Sequence, residues 1–280
     1  MNKIIDDFIK RSIEEDIGNG DITSIACVKK NQYGQAKLIA KEDCKIAGIK
    51  IAKKIYSFYD NQLKFLTFFQ DGSNVKKGDV IFEISGYQRS ILATERLVLN
   101  CMQRMSGIAT KTEKFIQEIK DLNTVILDTR KTCPSIRFLD KEAVKIGGGV
   151  NHRAGLYDAI MIKDNHIDFS GGIKNAIQNC TTYLQKSGLK KIQTIIEVRN
   201  IQELRHVLNI GNIDRILLDN FSIENTKKAV TLINKKYLIE SSGNISLNNV
   251  REYALCGVDY ISVGDLTHSI KSIDLSMLCI

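Results

Sequence analysis

The stretch from Asp128 to Ile167 reads DTRKTCPSIRFLDKEAVKIGGGVNHRAGLYDAIMIKDNHI. It contains basic residues and histidines, separated by turn residues and short apolar runs. Five of these are Arg130, Lys131, His152, Arg153 and Lys163. Because they follow separate predicted strands, folding can bring them together around an anion. The stretch therefore predicts a binding site for a multiply charged small molecule.

The same stretch contains the first two members of a series of predicted strands. Six segments are rich in Ile, Val or Leu and have a polar residue at the last or the second-last position: 125–128, 159–163, 194–198, 215–219, 237–241 and 260–263. The segments between the later strands, such as 201–209 and 222–234, have helical periodicity. This alternation predicts parallel strands joined by crossover helices.

Two parallel architectures fit such a series, an open doubly wound sheet and a closed barrel. A doubly wound dinucleotide fold requires G-x-G-x-x-G after its first strand, whereas residues 128–131 read DTRK. In a barrel, all strands direct their carboxyl ends to one mouth, and the polar residues of this chain follow those ends. The pattern therefore favours a barrel.

The first hundred or so residues have a different pattern. Segments 36–40, 64–69 and 80–84 alternate or run apolar, and glycine-containing turns separate the last two. They predict an antiparallel sheet. The opening segment has apolar residues near helical spacing and predicts a helix that covers this sheet.

A long helix, or a pair of helices, is predicted between residues 90 and 120. Arg96 and Arg104 share one face of it, and the periodicity does not decide whether this face is solvated or binds a ligand. Gly107 is about 1 kcal/mol less favourable than alanine inside a helix, so we expect an interruption and a domain joint there. The expected domains are 1–108, joined by 269–280, and a barrel domain over 109–268.

Composition narrows the class of protein. The net charge of +8 is scattered along the chain, without a helix-turn-helix cue or a basic run interleaved with aromatic residues, so anionic metabolites are favoured over nucleic acid as ligands. The cysteines are widely spaced, which is typical of a reducing compartment. An acidic N-terminus and the absence of a membrane-length apolar run predict a cytoplasmic protein with no membrane partner.

Polar residues at the predicted strand ends form an ordered set around the barrel mouth. Cations follow the early strands, and the carboxylates Glu197 and Asp219 end middle strands. Small or polar residues, with one valine among them, end or follow the last two strands, and the set is Ser242, Gly243, Asn244, Ser262, Val263 and Gly264. Turns of this kind expose backbone N–H groups before a helix and predict a phosphate-binding cradle.

Glu197 and Asp219 have more than one interpretation. A single strand-end carboxylate is more often a helix cap or an ion-pair partner. Two of them on successive strands beside a phosphate site indicate Mg²⁺, held directly or through water, because this ion shares its coordination shell with phosphates. They can also stabilise positive charge that develops on a substrate carbon.

The cations predict a ligand with both carboxylate and phosphate groups. Arg130 and Arg153 suit bidentate carboxylate recognition, at roughly 1.5–3 kcal/mol per charged hydrogen bond, whereas Lys163 is a point charge. His152 either hydrogen-bonds the ligand or serves the structure. Two other classes are an aldolase-like barrel with Lys163 as Schiff-base nucleophile and a non-catalytic anion-binding protein, although the latter gains nothing from carboxylates in its own pocket.

A set of motifs carries a resemblance to a known family. The motifs are ERLVLN at 95–100, QRMSGIAT at 103–110, DTRKT at 128–132, NHR at 151–153, IKDNH at 162–166, EV at 197–198 and LDN at 218–220. In this order they resemble quinolinate phosphoribosyltransferase, also called carboxylating nicotinate-nucleotide pyrophosphorylase. The likeness runs from EDIGNGD at 15–21 to THS at 267–269, which is nearly the whole chain.

The resemblance implies an α/β fold, an incomplete TIM-like α/β barrel at the C-terminal end with an N-terminal α+β open-faced sandwich domain. It implies a transferase that moves the phosphoribosyl group of 5-phosphoribosyl 1-pyrophosphate to quinolinate with decarboxylation. The products would be nicotinate mononucleotide, pyrophosphate and CO₂ in NAD biosynthesis, with Mg²⁺ as cofactor. A related barrel phosphoribosyltransferase that acts on another acid, such as nicotinate, is the alternative.

The resemblance also implies residue roles. Quinolinate would contact Arg104, Arg130, His152, Arg153 and Lys163. Lys131 would assist with phosphate and act in catalysis with Lys163, Glu197 and Asp219, the last two also serving Mg²⁺. Phosphate would bind the two turns at 242–244 and 262–264.

The resemblance implies a homodimer with shared active sites, or a hexamer built from such dimers. The first domain would cover the barrel of the partner, so Arg104 would act across the interface. Two departures from the family pattern concern phosphate binding. Asn244 stands where many relatives have glycine, and Asp265 would repel phosphate near Gly264 unless it points away.

Overall fold

The computed structural model describes residues 2–189 and 192–280. The chain folds into two compact units. The first comprises residues up to 113 together with 132–148 and 269–280, and the second comprises 114–131 and 149–268. The division at residue 108 stays a prediction, and these units differ from it by placing 132–148 with the first unit.

The secondary structure alternates between short strands and helices. The strands are β1 (Tyr33–Ala40), β2 (Cys44–Lys45), β3 (Lys64–Thr67), β4 (Asn74–Val75), β5 (Val80–Tyr87), β6 (Val125–Leu127), β7 (Ile160–Ile162), β8 (Thr194–Val198), β9 (Arg215–Asp219), β10 (Leu238–Ser242), β11 (Tyr260–Ser262) and β12 (Leu275–Cys279). The helices are α1 (Asn2–Ile17), α2 (Ile22–Cys27), α3 (Ile49–Tyr59), α4 (Gln88–Glu118), α5 (Arg137–Ile146), α6 (Asp164–Phe169), α7 (Ile173–Ser187), α8 (Ile201–Ile210), α9 (Ile223–Ile233), α10 (Val250–Leu255) and α11 (Asp265–His268). In the described part of the chain, none of these helices has the length and apolar character that crossing a membrane requires.

The first unit contains an antiparallel sheet in the order β12-β1-β5-β3. Its buried face is apolar, because alternate residues of a strand point to the same side and Ala36, Leu38 and Ala40 of β1 are buried. The strands predicted from 36–40 and 80–84 are confirmed as parts of β1 and β5, and the one predicted from 64–69 is confirmed as β3, which ends two residues earlier, at Thr67. Strand β12, which had no strand prediction, pairs with β1 along residues 275–279.

Helix α4 runs without a break through Gly107, so the predicted interruption is wrong. The glycine has another reason to be there. A Cβ atom at Gly107 would lie 2.4 Å from the carbonyl oxygen of Lys271, in the segment that leads into β12. Glycine is therefore required for a close backbone approach while the helix continues.

The second unit contains a parallel sheet in the order β6-β11-β10-β9-β8-β7. Each strand from β7 to β11 lies beside its neighbour in sequence, and the last of them returns to β6, which is the order of a barrel and not of a doubly wound sheet. Val150 adds one parallel bridge to Leu127. Within the described residues no ladder joins Val150 to β7, so the incomplete TIM-like barrel is confirmed.

Candidate active site

A cavity of about 820 Å³ lies at the carboxyl ends of the parallel strands in the second unit. Most of the predicted site residues line it, and they are Arg130, Lys131, His152, Arg153, Lys163, Glu197, Asp219, Ser242, Gly243, Asn244, Ser262 and Gly264. Parallel strands place the residues that follow them at one edge of the sheet, which explains why positions far apart in sequence meet. The structure therefore brings together cations, carboxylates and small turn residues.

Two predicted residues do not line this cavity. Arg104 lies in the first unit, where its Nε and Nη2 atoms donate to the two carboxylate oxygens of buried Asp140 at 2.7 and 2.8 Å. This bidentate pair raises the pKa of Arg104. Val263 is buried, and its N–H donates to the carbonyl oxygen of Leu127 at 2.9 Å, so this amide is engaged within the barrel.

The loops that carry the cations are fixed by hydrogen bonds from within the second unit. The backbone N–H of His152 donates to Oδ1 of buried Asp128 at 2.8 Å. The carbonyl oxygen of Lys131 accepts from the hydroxyl of Thr267 at 2.8 Å, and Nη1 of Arg153 donates to the carbonyl of Ala159 at 3.1 Å. Such bonds hold a binding loop in one conformation before the ligand arrives.

Arg153 experiences an unfavourable electrostatic environment. Burial lowers the pKa of its guanidinium, and the positive charge of Arg130 lowers it further. Two cations that disfavour each other's charge are stabilised by an anion that contacts both. The arrangement thus suits a ligand with carboxylate groups.

The carboxylate side of the cavity is built by β8 and β9. Glu197 is buried and forms an ion pair with Lys163. Burial raises the pKa of Glu197, the ion pair with Lys163 opposes this, and the negative charge of Asp219 adds to the increase. Asp219 accepts from the hydroxyl of Ser242 at 3.1 Å and from the side-chain amide of Asn220 at 2.9 Å.

Glu197 and Asp219 could hold a magnesium ion only if further ligands completed its coordination shell. Among the described residues there is no group of three or more His, Cys, Asp or Glu side chains arranged to hold a metal. Mg²⁺ commonly binds one or two carboxylates and completes its octahedron with waters and substrate phosphates. Glu197 and Asp219 line one cavity with the predicted phosphate turns, so their chemistry is compatible with such an ion.

The first predicted phosphate turn has a backbone that requires glycine. Gly243 has φ +91°, and a Cβ atom there would lie 2.1 Å from Oδ1 of Asn220. Asn244 has φ 52°, which asparagine tolerates, and its side-chain amide donates to the same Oδ1 at 3.1 Å. Asn244 therefore adopts the left-handed turn conformation that a glycine at this position would also allow.

The second predicted phosphate turn lies against Lys131. A Cβ atom at Gly264 would lie 2.9 Å from Cδ of Lys131, so a larger residue would displace this lysine. Asp265 also lines the cavity. Its negative charge in the same cavity makes a neighbouring cation such as Lys131 more important for any phosphate that binds here.

Sequence reasoning missed a carboxylate inside the barrel. Glu240 lies in the middle of β10, is fully buried and lines the cavity, and Nη1 of Arg215 donates to it at 2.9 Å. The prediction considered the polar residues at the strand ends, whereas Glu240 lies inside β10 and Arg215 at the start of β9. The available signal was a charged residue within an otherwise apolar parallel strand, where a charge is rarely buried without a partner.

Comparison with known proteins gives a consistent result over nearly the whole chain. Residues 21–106 match the family model described as quinolinate phosphoribosyl transferase, N-terminal domain, and residues 108–278 match the C-terminal domain of the same family. A quinolinate phosphoribosyltransferase (decarboxylating) 2b, mitochondrial, from Nicotiana tabacum is 42% identical over 284 residues, covering 96% of this chain and 80% of the relative. A nicotinate-nucleotide pyrophosphorylase (carboxylating), chloroplastic, from Arabidopsis thaliana is 41% identical over 284 residues, covering 96% and 81%.

A solved structure agrees with these relatives. The nicotinate-nucleotide pyrophosphorylase from Francisella tularensis superposes with a TM-score of 0.92 at 38% sequence identity, covering 100% of this chain and 97% of that one. Both the sequence and the fold are therefore similar from end to end. The chain belongs to the quinolinate phosphoribosyltransferase family.

Proposed function

We propose that this protein transfers the phosphoribosyl group of 5-phosphoribosyl 1-pyrophosphate to quinolinate and releases CO₂, giving nicotinate mononucleotide and pyrophosphate in NAD biosynthesis. One observation carries the proposal beyond family membership. A single cavity has cations on its β6 and β7 side, carboxylates on β8 and β9, and small turn residues after β10 and β11. These three groups correspond to the dicarboxylate, ribosyl and phosphate parts of the two substrates.

The cations select the acid. Arg130 and Arg153, with Lys163 and His152 beside them, would receive the two carboxylates of quinolinate. Bidentate guanidinium contacts suit planar carboxylates, and the repulsion between the two arginines is relieved when an anion binds. Lys163 would add a point charge from the end of β7.

The phosphate end of the cavity would hold the second substrate. Lys131 and the turns at 242–244 and 262–264 offer an ammonium group, hydroxyls and backbone N–H groups. Glu197 and Asp219 would hold Mg²⁺, directly or through water. When bound, this ion would offset negative charge on the pyrophosphate leaving group.

The chemistry requires positive charge to develop at the ribose. Departure of pyrophosphate leaves an oxocarbenium-like carbon, and the nearby carboxylates of Glu197 and Asp219 stabilise it while the pyridine nitrogen attacks. The new ring nitrogen is cationic, so it stabilises the electron pair that the bond to the 2-carboxylate leaves on the adjacent ring carbon as CO₂ departs. A proton from solvent then adds to that carbon.

The proposal is tested by comparing two acids. With phosphoribosyl pyrophosphate and Mg²⁺, quinolinate should yield the mononucleotide, whereas nicotinate should yield little, because a single carboxylate leaves part of the set of cations without a partner. Product formation is followed by chromatography under identical conditions. Comparable rates for the two acids would contradict the assignment of quinolinate and favour a barrel phosphoribosyltransferase for another acid.

The Schiff-base alternative for Lys163 makes a different prediction. An ammonium group in an ion pair with Glu197 has no lone pair with which to attack a carbonyl. Treatment with borohydride in the presence of substrate should therefore leave Lys163 unmodified, as judged by peptide mass spectrometry. A reduced substrate adduct on this lysine would support the aldolase-like alternative.

We also propose a homodimer in which Arg104 reaches the quinolinate site of the partner. Two observations support this proposal. Arg104 lies in the first unit, whereas the cavity is lined by residues of the second unit. Its bidentate contact with buried Asp140 fixes the direction of the guanidinium. A side chain that binds substrate in the site of a neighbouring subunit needs such a fixed orientation.

Subunit mixing tests this shared site. Arg104→Met and Lys163→Ala should each be inactive alone, and random exchange of the two subunits should restore about a quarter of wild-type activity, because half of the dimers then contain one intact site. Two preparations of Arg104→Met mixed with each other serve as the control. Persistent inactivity of the mixture would place Arg104 outside the partner's site.

The larger assembly and the location of the protein stay predictions. A hexamer built from these dimers would appear as a defined species in light scattering. The cytoplasmic location rests on the sequence alone, and the relatives from tobacco and Arabidopsis carry the designations mitochondrial and chloroplastic. Imaging of the tagged chain in its own cell would distinguish these locations.

A further inference from the structure

Glu240 has contacts that the reaction described above does not use. Its Oε2 atom accepts from Nη1 of Arg215 at 2.9 Å and lies 3.4 Å from Nε2 of His152. The Glu240 side chain is fully buried, and those of His152 and Arg215 are 6% and 9% exposed. A buried carboxylate therefore joins a structural arginine to a residue of the predicted quinolinate site.

The ring of His152 has a defined proton position. Its Nδ1 atom accepts the backbone N–H of Arg153 at 2.6 Å, so Nδ1 carries a lone pair and the ring proton is on Nε2. Nε2 and Oε2 of Glu240 form a polar contact that exceeds ordinary hydrogen-bond geometry in this structure. We expect this contact to shorten into a hydrogen bond when the ligand binds.

Polar contacts as well as packing hold the ring of His152. His152 and Arg153 line both the main cavity and a second cavity of about 310 Å³ that is also lined by Arg215 and Tyr260. The two flipped orientations of a histidine ring have nearly the same shape, so polar contacts at the ring nitrogens select between them. Glu240 supplies the contact at Nε2, and the amide of Arg153 supplies the one at Nδ1.

Arg215 explains how the carboxylate can remain charged inside the barrel. Its guanidinium donates to Glu240, contacts the amide oxygen of Gln193 at 3.2 Å and stacks over the ring of Tyr260 at 4.0 Å. Burial raises the pKa of Glu240, but the contacts with His152 and Arg215 outweigh it, and the net shift is downward. The acceptor that faces His152 is thus an anion held by a rigid cation.

We propose that Glu240 is a positioning residue for quinolinate: it accepts the Nε2–H of His152 and so fixes the ring and the adjoining Arg153 against the substrate. The inference rests on the proposed function. It assigns a task to a residue outside the strand ends. It also predicts that the hydrogen-bond acceptor at position 240, and not merely its charge, determines affinity for the acid.

The test needs variants that keep the barrel folded. Removing Glu240 alone would leave Arg215 buried without a counter-charge, which is strongly destabilising. Both variants therefore carry Arg215→Met. Glu240→Gln retains an acceptor of the same length, whereas Glu240→Met has the same length without an acceptor.

Steady-state kinetics with both substrates distinguishes positioning from support of the fold. With Arg215→Met/Glu240→Gln, we expect a KM for quinolinate close to that of the wild type. With Arg215→Met/Glu240→Met, we expect it to rise about 10-fold, because a ring proton loses its acceptor, while the KM for phosphoribosyl pyrophosphate changes less than about 2-fold. Equal KM values for quinolinate in the two variants, or equal changes for both substrates, would overturn the inference.

A spectroscopic measurement separates this inference from the proposed function. The chain has four histidines, so ¹⁵N-histidine labelling with His152→Gln as the assignment variant identifies the His152 signal. We expect the Nε2–H tautomer in the wild type and tautomeric exchange when position 240 is Met. The Nδ1–H tautomer in the wild type would overturn the positioning role, whereas inactivity of the wild type toward quinolinate would refute only the proposed function.

Discussion

The two sheets of this protein bury different kinds of side chain. In the antiparallel sheet of the first unit, Leu38, Phe82 and Ile84 are fully buried, and the interior is apolar. In the parallel sheet of the second unit, the buried strands carry Glu197 and Glu240 as well as aliphatic residues. Because burying charges costs more than burying hydrocarbon, these residues indicate where fold stability has been exchanged for ligand binding.

The largest effect on stability is expected in the antiparallel sheet. Phe82 packs against Phe65 with ring centroids 4.5 Å apart and against Tyr56 at 6.1 Å. Phe82→Ala should lower the free energy of unfolding by about 3–5 kcal/mol, since it removes a large side chain and leaves a cavity. Urea unfolding followed by circular dichroism measures the loss, and Leu66→Ala in the same sheet is the control because Leu66 is exposed.

This prediction concerns the first sheet alone. At a temperature where Phe82→Ala is still folded, its KM for quinolinate should equal that of the wild type. A loss of quinolinate affinity in the folded variant would remove the distinction between the two sheets.

The next largest effect is expected at the carboxylates of the parallel sheet. Asp219→Ala or Glu197→Ala should lower turnover by about 10²–10³-fold, because each removes a charge that faces the developing cation, while affinity for quinolinate changes less. Glu224→Ala is a suitable control, since Glu224 is an exposed carboxylate of the same unit. Equal losses in turnover and affinity would mean that the two carboxylates only support the fold.

A smaller effect concerns stability as a function of pH. Burial raises the pKa of Glu197. A carboxyl group with a raised pKa in the folded state contributes stability that is present at low pH and lost as pH rises through that pKa. The Tm of Glu197→Gln relative to the wild type should therefore increase as pH rises from about 4 to about 8.

The matched control for this pH dependence has the opposite sign. The ion pair with Lys228 lowers the pKa of exposed Glu224, so Glu224→Gln should lose stability relative to the wild type as pH rises. The trend for Glu224 occurs below about pH 4.5, where a carboxyl group with a lowered pKa takes up its proton, so differential scanning fluorimetry from about pH 2.5 to about pH 8 measures both trends. If the difference in Tm between Glu197→Gln and the wild type stays constant with pH, burial does not raise the pKa of Glu197, and the prediction is contradicted.

The sequence predicted the parallel barrel well because its signal is local. The segments 194–198 and 215–219 were predicted with the bounds that the structure has, since buried parallel strands are short apolar runs with a polar residue at or next to their end. The C-terminal strand β12 was missed because its pairing with β1 is a contact between the two ends of the chain. The continuity of α4 at Gly107 was missed because local propensity does not reveal the approach of Lys271.

The candidate site was predictable where it depends on strand ends and less so elsewhere. Lys163 and Asp219 were found because parallel strands bring their carboxyl ends together. Glu240 was missed because its environment is set by Arg215 and His152, which come from other strands and loops. The partner of Arg104 was likewise not predictable, since Asp140 lies on α5 in a distant segment.

The central claim is that the mouth of the parallel barrel performs a phosphoribosyl transfer coupled to decarboxylation. It is tested most directly with quinolinate carrying ¹³C in its 2-carboxylate, incubated with the protein, phosphoribosyl pyrophosphate and Mg²⁺. We predict one equivalent of labelled CO₂ for each nicotinate mononucleotide formed, and no labelled CO₂ without phosphoribosyl pyrophosphate. A nucleotide that retains the label, or release of CO₂ without the second substrate, would contradict the claim.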